Sequence, residues 1–269
     1  MSNEAMNEIR KRRDAARAQK GKVLAIVSSH DKLGDTGYPT GYWISELSHP
    51  YLLLWRAGYD VDIASPKSGK APVDAWSDPN SPVAQNPADF ISTGLIENKF
   101  HNQKLLNTKK LSDINAAEYA GVWLVGGYGA AFEFADDPDI PRILQHVWNA
   151  GGIVGSICHG APGLFNLKTA DGAYLIKGKD LTGFSKAEDQ EVEKVVGSHF
   201  LKYYVEDELR ARGARYQRGE LFQPFAVVSE EGRLVTGQQQ FSGEVFGEKL
   251  LQALERTQAT SKASGQAAA

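Results

Sequence analysis

Four short strand-like runs, each followed by a loop or turn rich in small residues, constrain this chain more than any other feature. They are Lys22 to Ser29 (KVLAIVSS), Tyr59 to Ser65 (YDVDIAS), Gly121 to Val125 (GVWLV) and Ile153 to Ile157 (IVGSI), with the length and β-branched content of strands. Helical spacing separates them. Gly41 to Ala57 places Trp43, Leu47, Leu54 and Trp55 on one face and stops at Gly58, and Asp137 to Ala150 carries Pro141 near its start and Gly151 at its end. Strands and helices alternating in this order specify a doubly wound α/β fold with a mostly parallel sheet.

The remaining segments fill in around that frame. Pro66 to Tyr119 is too long for an ordinary connection, and its first part carries Pro66, Pro72, Pro79, Pro82 and Pro87, so an irregular, surface-bound, cap-like insertion is expected there. Within it Ala88 to Leu106 reads as a helix. Further on, Lys179 to Phe184 reads as a strand, Lys186 to Val196 as an acidic segment and His199 to Arg212 as an amphipathic helix ending at Gly213. Phe225 to Ser229 and Arg233 to Thr236 pair around a tight turn. Ser242 to Leu254 makes a last helix with Ser242 as its N-cap. The expected organisation is an exposed charged helical extension over 1–20, one α/β domain over 21–256 with its insertion at 66–119, and a small-residue, disordered tail over 257–269.

Composition excludes several functions. A formal net charge of -3 gives no electrostatic case for nucleic acid or an anionic membrane surface. No stretch reaches the length of a membrane span, and the Arg/Lys/Glu/Ala-rich start lacks the apolar core of a secretory signal. A single cysteine rules out an internal disulfide and suits a reducing compartment, so a cytoplasmic protein is expected. His49, His101, His146 and His199 show no metal-ligand spacing, and neither a Walker loop nor a dinucleotide glycine fingerprint appears, so no metal and no cofactor are expected. The acidic runs at 136–137, 188–193 and 206–208 read as helix surface charge.

The chemistry centres on Gly151-Gly152-Ile153-Val154-Gly155-Ser156-Ile157-Cys158-His159-Gly160-Ala161-Pro162-Gly163, where the lone cysteine sits as strand becomes helix. Such a junction lifts a nucleophile above the sheet, and a helix N-terminus beside it favours thiolate over thiol. The alternative is a buried structural thiol. Glu46, in the first turns of the helix after the first strand, is placed to project into the same cleft, where burial would raise its pKa into the range of a proton shuttle. The alternative is a solvated helix residue. His159 either borders the pocket or packs against the sheet edge. Gly126-Gly127-Tyr128-Gly129 follows a strand and either offers backbone N–H donors near the thiol or serves turn geometry alone.

Together the segments Thr40-Gly41-Tyr42-Trp43-Ile44-Ser45-Glu46-Leu47-Ser48-His49-Pro50-Tyr51, Ile63-Ala64-Ser65-Pro66-Lys67, Gly126-Gly127-Tyr128-Gly129 and Ile157-Cys158-His159-Gly160 resemble the ThiJ/PfpI superfamily, the class I glutamine-amidotransferase-like group. The proline-rich insertion, Asn107-Thr108-Lys109 with Leu111-Ser112, and Leu181-Thr182-Gly183-Phe184-Ser185 are similar to its heat-shock-chaperone and glyoxalase III subgroup. The resemblance implies a flavodoxin-like sandwich, a homodimer, and a site of Glu46, Cys158 and His159 with a third acid at Glu188 or Asp189. Two departures stand out. Tyr128 occupies a position where the group commonly has histidine, and Gly237-Gln238-Gln239-Gln240-Phe241-Ser242 replaces a Gly-Gln-Asn-Pro-like run.

The activity this resemblance implies is glutathione-independent conversion of methylglyoxal and related 2-oxoaldehydes to 2-hydroxy acids. Cys158 adds to the aldehyde, Glu46 shuttles the proton, and backbone N–H groups at His159 and Gly127 hold the oxyanion. The alternatives are a stress-related holdase chaperone, a protein deglycase, and a cysteine amidase or peptidase. Glutamine amide transfer is disfavoured, because such enzymes carry a downstream His-x-Glu base and here His199 is followed by Phe200 and Leu201.

Overall fold

In the computed structural model, residues 4–6, 8, 20–229 and 231–267 are described. The charged extension expected over 1–20 falls almost wholly outside them. In chain order the main elements are β1 (Lys22–Ile26), α1 (Ile44–Ala57), β2 (Asp60–Ser65), α2 (Phe90–Glu97), α3 (Lys99–Leu106), β3 (Lys109–Lys110), β4 (Tyr119–Leu124), α4 (Tyr128–Glu133), α5 (Asp139–Asn149) and β5 (Ile153–Ile157). A 3₁₀ turn over Cys158–Leu164 follows, then β6 (Asp180–Leu181), α6 (Lys186–Val196), α7 (Val205–Ala211), β7 (Arg215–Tyr216), β8 (Ala226–Val228), β9 (Leu234–Gly237) and α8 (Gly243–Ala267).

The seven-stranded sheet runs β3-β2-β1-β4-β5-β9-β8, parallel throughout except for the β8–β9 pair. Alternation along the strands splits the core in two. Leu24, Ile26, Val122, Leu124 and Val154 face α5 through Ile140, Ile143 and Leu144. Val23, Ala25, Val61, Ile63 and Trp123 face α1 and α8 through Leu47, Tyr51, Leu54, Phe246 and Leu250. Covered on both faces, these strands have to be apolar along their length. One edge is only the two exposed residues Lys109–Lys110, whose charges discourage further strand pairing.

The chain winds outward from β1 through β2 to β3, then crosses back to β4. The strand order therefore reverses between β1 and β4, and the crevice at their carboxyl ends is where an open α/β sheet offers its ligand site. The loops after β1, β4 and β5 all open there.

Several expectations need correction. Asn98 splits the helix expected over Ala88 to Leu106, because its extended backbone interrupts the first segment and its side chain caps the second through the N–H groups of Phe100 and His101. The strand expected over Lys179 to Phe184 is the short β6, which pairs with β7 outside the main sheet. Of His199 to Arg212 only Val205–Ala211 is α-helical. After Cys158 the chain forms a 3₁₀ turn containing Pro162 in place of an α-helix. Ser242 Oγ accepts from the N–H groups of Phe225 and Gln239, tying down the preceding loop. The final helix continues to Ala267 where a disordered tail was expected, in keeping with the Ala, Gln and Lys content there.

Candidate active site

Strand β5 ends at Ile157 in extended conformation, and the next residue, Cys158, has φ 58. A side chain in the left-handed region costs on the order of 1–3 kcal/mol, and the surrounding packing must hold it there. The result is an elbow that turns the sulfur out of the sheet. Cys158 is only 3% exposed, packed at the edge of the core, and it lines a small recess.

Glu46 reaches that sulfur from α1. Its carboxyl is fully buried beside the Cys158 thiol, Oε2 accepts the Gly126 N–H at 2.9 Å, and Oε1 has no hydrogen-bond partner among the described residues. Burial pushes the Glu46 pKa up to about 8, offset in part by the contacts with Cys158 and Gly126. Position 126 has to be glycine for this approach. A Cβ there would stand 2.5 Å from Glu46 Oε2 and 2.7 Å from Cys158 Cβ. The backbone N–H groups of Gly127, with φ +93, and of His159 lie near the sulfur.

Those two N–H groups draw the thiol down, but burial and the neighbouring Glu46 outweigh them and hold its pKa well above the ordinary value. The expectation of a ready-made thiolate is therefore overturned. The short 3₁₀ turn offers little dipole, and burial penalises a second negative charge beside a carboxyl.

His159 stands beside the sulfur. Its Nδ1 lies 3.5 Å from Cys158 Sγ, and its Nε2 donates to Asp189 Oδ1 at 3.1 Å. The imidazole is buried between the rings of Phe184 and Tyr128, each with its centroid 4.4 Å away. Asp189 is the acid that faces the histidine. Glu188 points elsewhere: Oε2 accepts from the Ser185 N–H and hydroxyl, and Oε1 from the Phe222 N–H and the Gln238 amide. Both acids are fully buried, which corrects their reading as helix surface charge. Ser185-Lys186-Ala187-Glu188 is a capping box, and that local pattern would have assigned Glu188 to the helix start.

The glycine cluster divides its labour. The Gly126 N–H is spent on Glu46 and the Gly129 N–H on the Gly41 carbonyl at 3.1 Å, which leaves Gly127 as the glycine donor at the sulfur. Tyr128 joins the site through its hydroxyl, which donates to Asp189 Oδ1 at 3.2 Å.

The sequence reading missed what the insertion contributes. Ser77 Oγ accepts the Ile44 N–H at 3.0 Å and so caps α1, whose first turn carries Glu46. Asp74 accepts from the Thr40 hydroxyl at 2.7 Å, and Tyr42 bridges to Val73. Trp76 and Gln85 then close over the sulfur with Trp43 and Gln240, leaving a recess of about 20 Å³, room for about one water. A second cavity of about 590 Å³, lined by Val83, Val195, Phe222 and Phe241, shares Trp76, Gln85, Val192 and Gln240 with the recess. Among the described residues no group of three or more His, Cys, Asp or Glu is placed to hold a metal, and no helix is long and apolar enough to cross a membrane.

A strained cysteine held by a buried carboxyl, a histidine–aspartate pair and two N–H donors can carry out nucleophilic addition to a carbonyl with proton relay. Similar chains are known. Glyoxalase 3 of Candida albicans is 29% identical over 242 residues, covering 87% of this chain and 98% of that one. The glutathione-independent glyoxalase HSP31 of Saccharomyces cerevisiae is 29% identical over 227 residues, covering 82% and 92%. Among solved structures, the Rapid Encystment Protein of Francisella tularensis superposes with a TM-score of 0.78 at 29% identity over 87% of this chain and 99% of that one. Glyoxalase III of Candida albicans gives 0.74 at 26% over 87% and 97%. The DJ-1/PfpI family model matches residues 40–253, from the loop before Glu46 to the last helix, and the chain belongs to that family.

Proposed function

We propose that the protein is a glutathione-independent glyoxalase, a cysteine-dependent lyase that converts methylglyoxal and similar 2-oxoaldehydes to 2-hydroxy acids. The observation that carries the reading is the buried carboxyl of Glu46, its pKa pushed up to about 8, set beside Cys158, which lines the recess. A carboxyl in that range serves as acid and then as base near neutral pH.

In the proposed sequence Cys158 gives its proton to His159 Nδ1 and the sulfur adds to the aldehyde carbon. Glu46 protonates the resulting oxyanion, which the Gly127 and His159 N–H groups also hold. As carboxylate, Glu46 then removes the hydrogen from that carbon, and the imidazolium protonates the neighbouring ketone oxygen to give an enediol. Returning the proton from Glu46 to the second carbon, while the now neutral His159 takes the hydroxyl proton from the first, leaves a thioester on Cys158. Water hydrolyses it to the 2-hydroxy acid and the free thiol. One carbon is oxidised as its neighbour is reduced, so the chemistry calls for no external redox cofactor. The narrow recess suits a small aldehyde head, and Trp76 and Gln240 have to yield for it to enter. The relatives named as glyoxalases at 29% identity support the same reading. We also propose a cytoplasmic homodimer.

The test is to incubate the purified protein with methylglyoxal and no thiol. Formation of lactate matching the aldehyde consumed is the expected result. Turnover of glutamine or peptide amides without aldehyde loss would assign the site to amide hydrolysis instead.

A further inference from the structure

Asp189 is engaged unevenly. His159 Nε2 and the Tyr128 hydroxyl both donate to Oδ1, at 3.1 and 3.2 Å, while the buried Oδ2 has no hydrogen-bond partner among the described residues. The carboxyl is fully buried. A buried carboxylate is costly in proportion to the donors it lacks, and here no third donor stands ready if one is removed.

Tyr128 is built into this position. It opens α4 directly after Gly127, its ring lies against His159, and Phe200 meets its other side edge-on at 5.0 Å. These contacts fix the ring, and the ring fixes the hydroxyl.

We propose that Tyr128 is a positioning residue: by sharing Asp189 Oδ1 with His159, its hydroxyl holds the carboxylate turned toward the imidazole and sets how readily His159 takes the Cys158 proton. The inference rests on the reading of Cys158 as nucleophile, with His159 as its proton acceptor. Burial already raises the Asp189 pKa, and the donors on Oδ1 oppose it. The charged groups around Asp189 are few. His159 faces it from the elbow, Tyr128 from α4 and Glu193 from its own helix, with Glu193 fixed by His199 at 2.6 Å and by the Tyr204 hydroxyl at 2.9 Å. Cys158 and Asp74 lie on the Tyr128 side, and Glu46 lies behind Cys158. With Glu193 held in place, removal of the Tyr128 hydroxyl acts on the pair of Asp189 and His159.

Tyr128→Phe keeps the ring against His159 and deletes only the donor. Because Cys158 is the single cysteine, alkylation by iodoacetamide reads the sulfur directly and needs no assumption about substrate. The expected result is that the acid limb of the alkylation-rate profile moves to higher pH by about one unit, the scale of one hydrogen bond to a charged group. The same shift should appear in kcat/KM for methylglyoxal. In an Asp189→Asn background, Tyr128→Phe should change the alkylation rate less than about twofold, because the shared acceptor charge is gone. A limb that stays in place in folded Tyr128→Phe, or an equal loss in both backgrounds, overturns the proposal. Failure of the wild type to consume methylglyoxal, with the alkylation shift intact, counts against the proposed substrate and leaves the role of Tyr128 standing.

Discussion

Replacing Glu46 with glutamine should make the protein more stable, by an amount that depends on pH. In the folded chain the Glu46 carboxyl titrates at about 8, against an ordinary 4.5. The folded state then binds the proton more tightly than the unfolded state, so stability is full below about 4.5 and is lost as pH rises toward 8. Each pH unit across that window costs about 1.4 kcal/mol, so at pH 7 the buried acid costs about 3 kcal/mol. Glutamine does not ionise, and its side-chain oxygen can still accept the Gly126 N–H that Oε2 accepts at 2.9 Å. Urea unfolding of wild type and Glu46→Gln at pH 4.5, 6 and 7.5 measures the difference. It should be near zero at the lowest pH and widen by more than about 2 kcal/mol at the highest, while glyoxalase activity is lost. Asp189 remains in both proteins, so its titration cancels in the comparison. A difference that stays constant with pH would refute the claim that a dry, ionisable carboxyl sits beside the sulfur.

Other outcomes follow from the same contacts. Ser77→Ala removes the cap on the Ile44 N–H and should cost about 1 kcal/mol in urea unfolding, together with a fall in kcat, because the first turn of α1 carries Glu46. Gly126→Ala places a Cβ 2.6 Å from the Ile157 carbonyl as well as against Glu46, so an activity assay should show near-complete loss and thermal unfolding a drop equivalent to about 1–3 kcal/mol. Glu188→Gln sets an amide NH₂ against donors from Ser185, Phe222 or Gln238. It should destabilise by about 1–3 kcal/mol while leaving the pH profile of kcat/KM in place, in contrast to Asp189→Asn.

Much of this arrangement was legible in the chain because its signals are local. The apolar runs at Lys22, Tyr59, Gly121 and Ile153 announce buried parallel strands. Placing Cys158 at the end of one of them, and Glu46 early in the helix after another, puts both at the carboxyl edge where the strand order reverses. What stayed hidden depends on partners distant in sequence. Ser77 caps a helix 33 residues before it, and Trp76 and Gln240, far apart in the chain, line the same recess. No periodicity links such positions. The choice between Glu188 and Asp189 was undecided because adjacent helix residues point about 100° apart, and the burial of both at the start of an otherwise exposed α6 shows only in the folded molecule. The thiol was misjudged for a related reason. Its expected activation came from a helix dipole, whereas burial beside Glu46 dominates, and that burial is a property of the whole site.

The central claim is that the Cys158 sulfur forms the bond to substrate. The most direct measurement is kcat/KM for methylglyoxal, without added thiol, for Cys158→Ala beside the wild type, with thermal unfolding to confirm that the variant is folded. The account predicts a loss of at least about 10³-fold in a protein that still unfolds cooperatively. Activity within tenfold of wild type in the folded variant would contradict it.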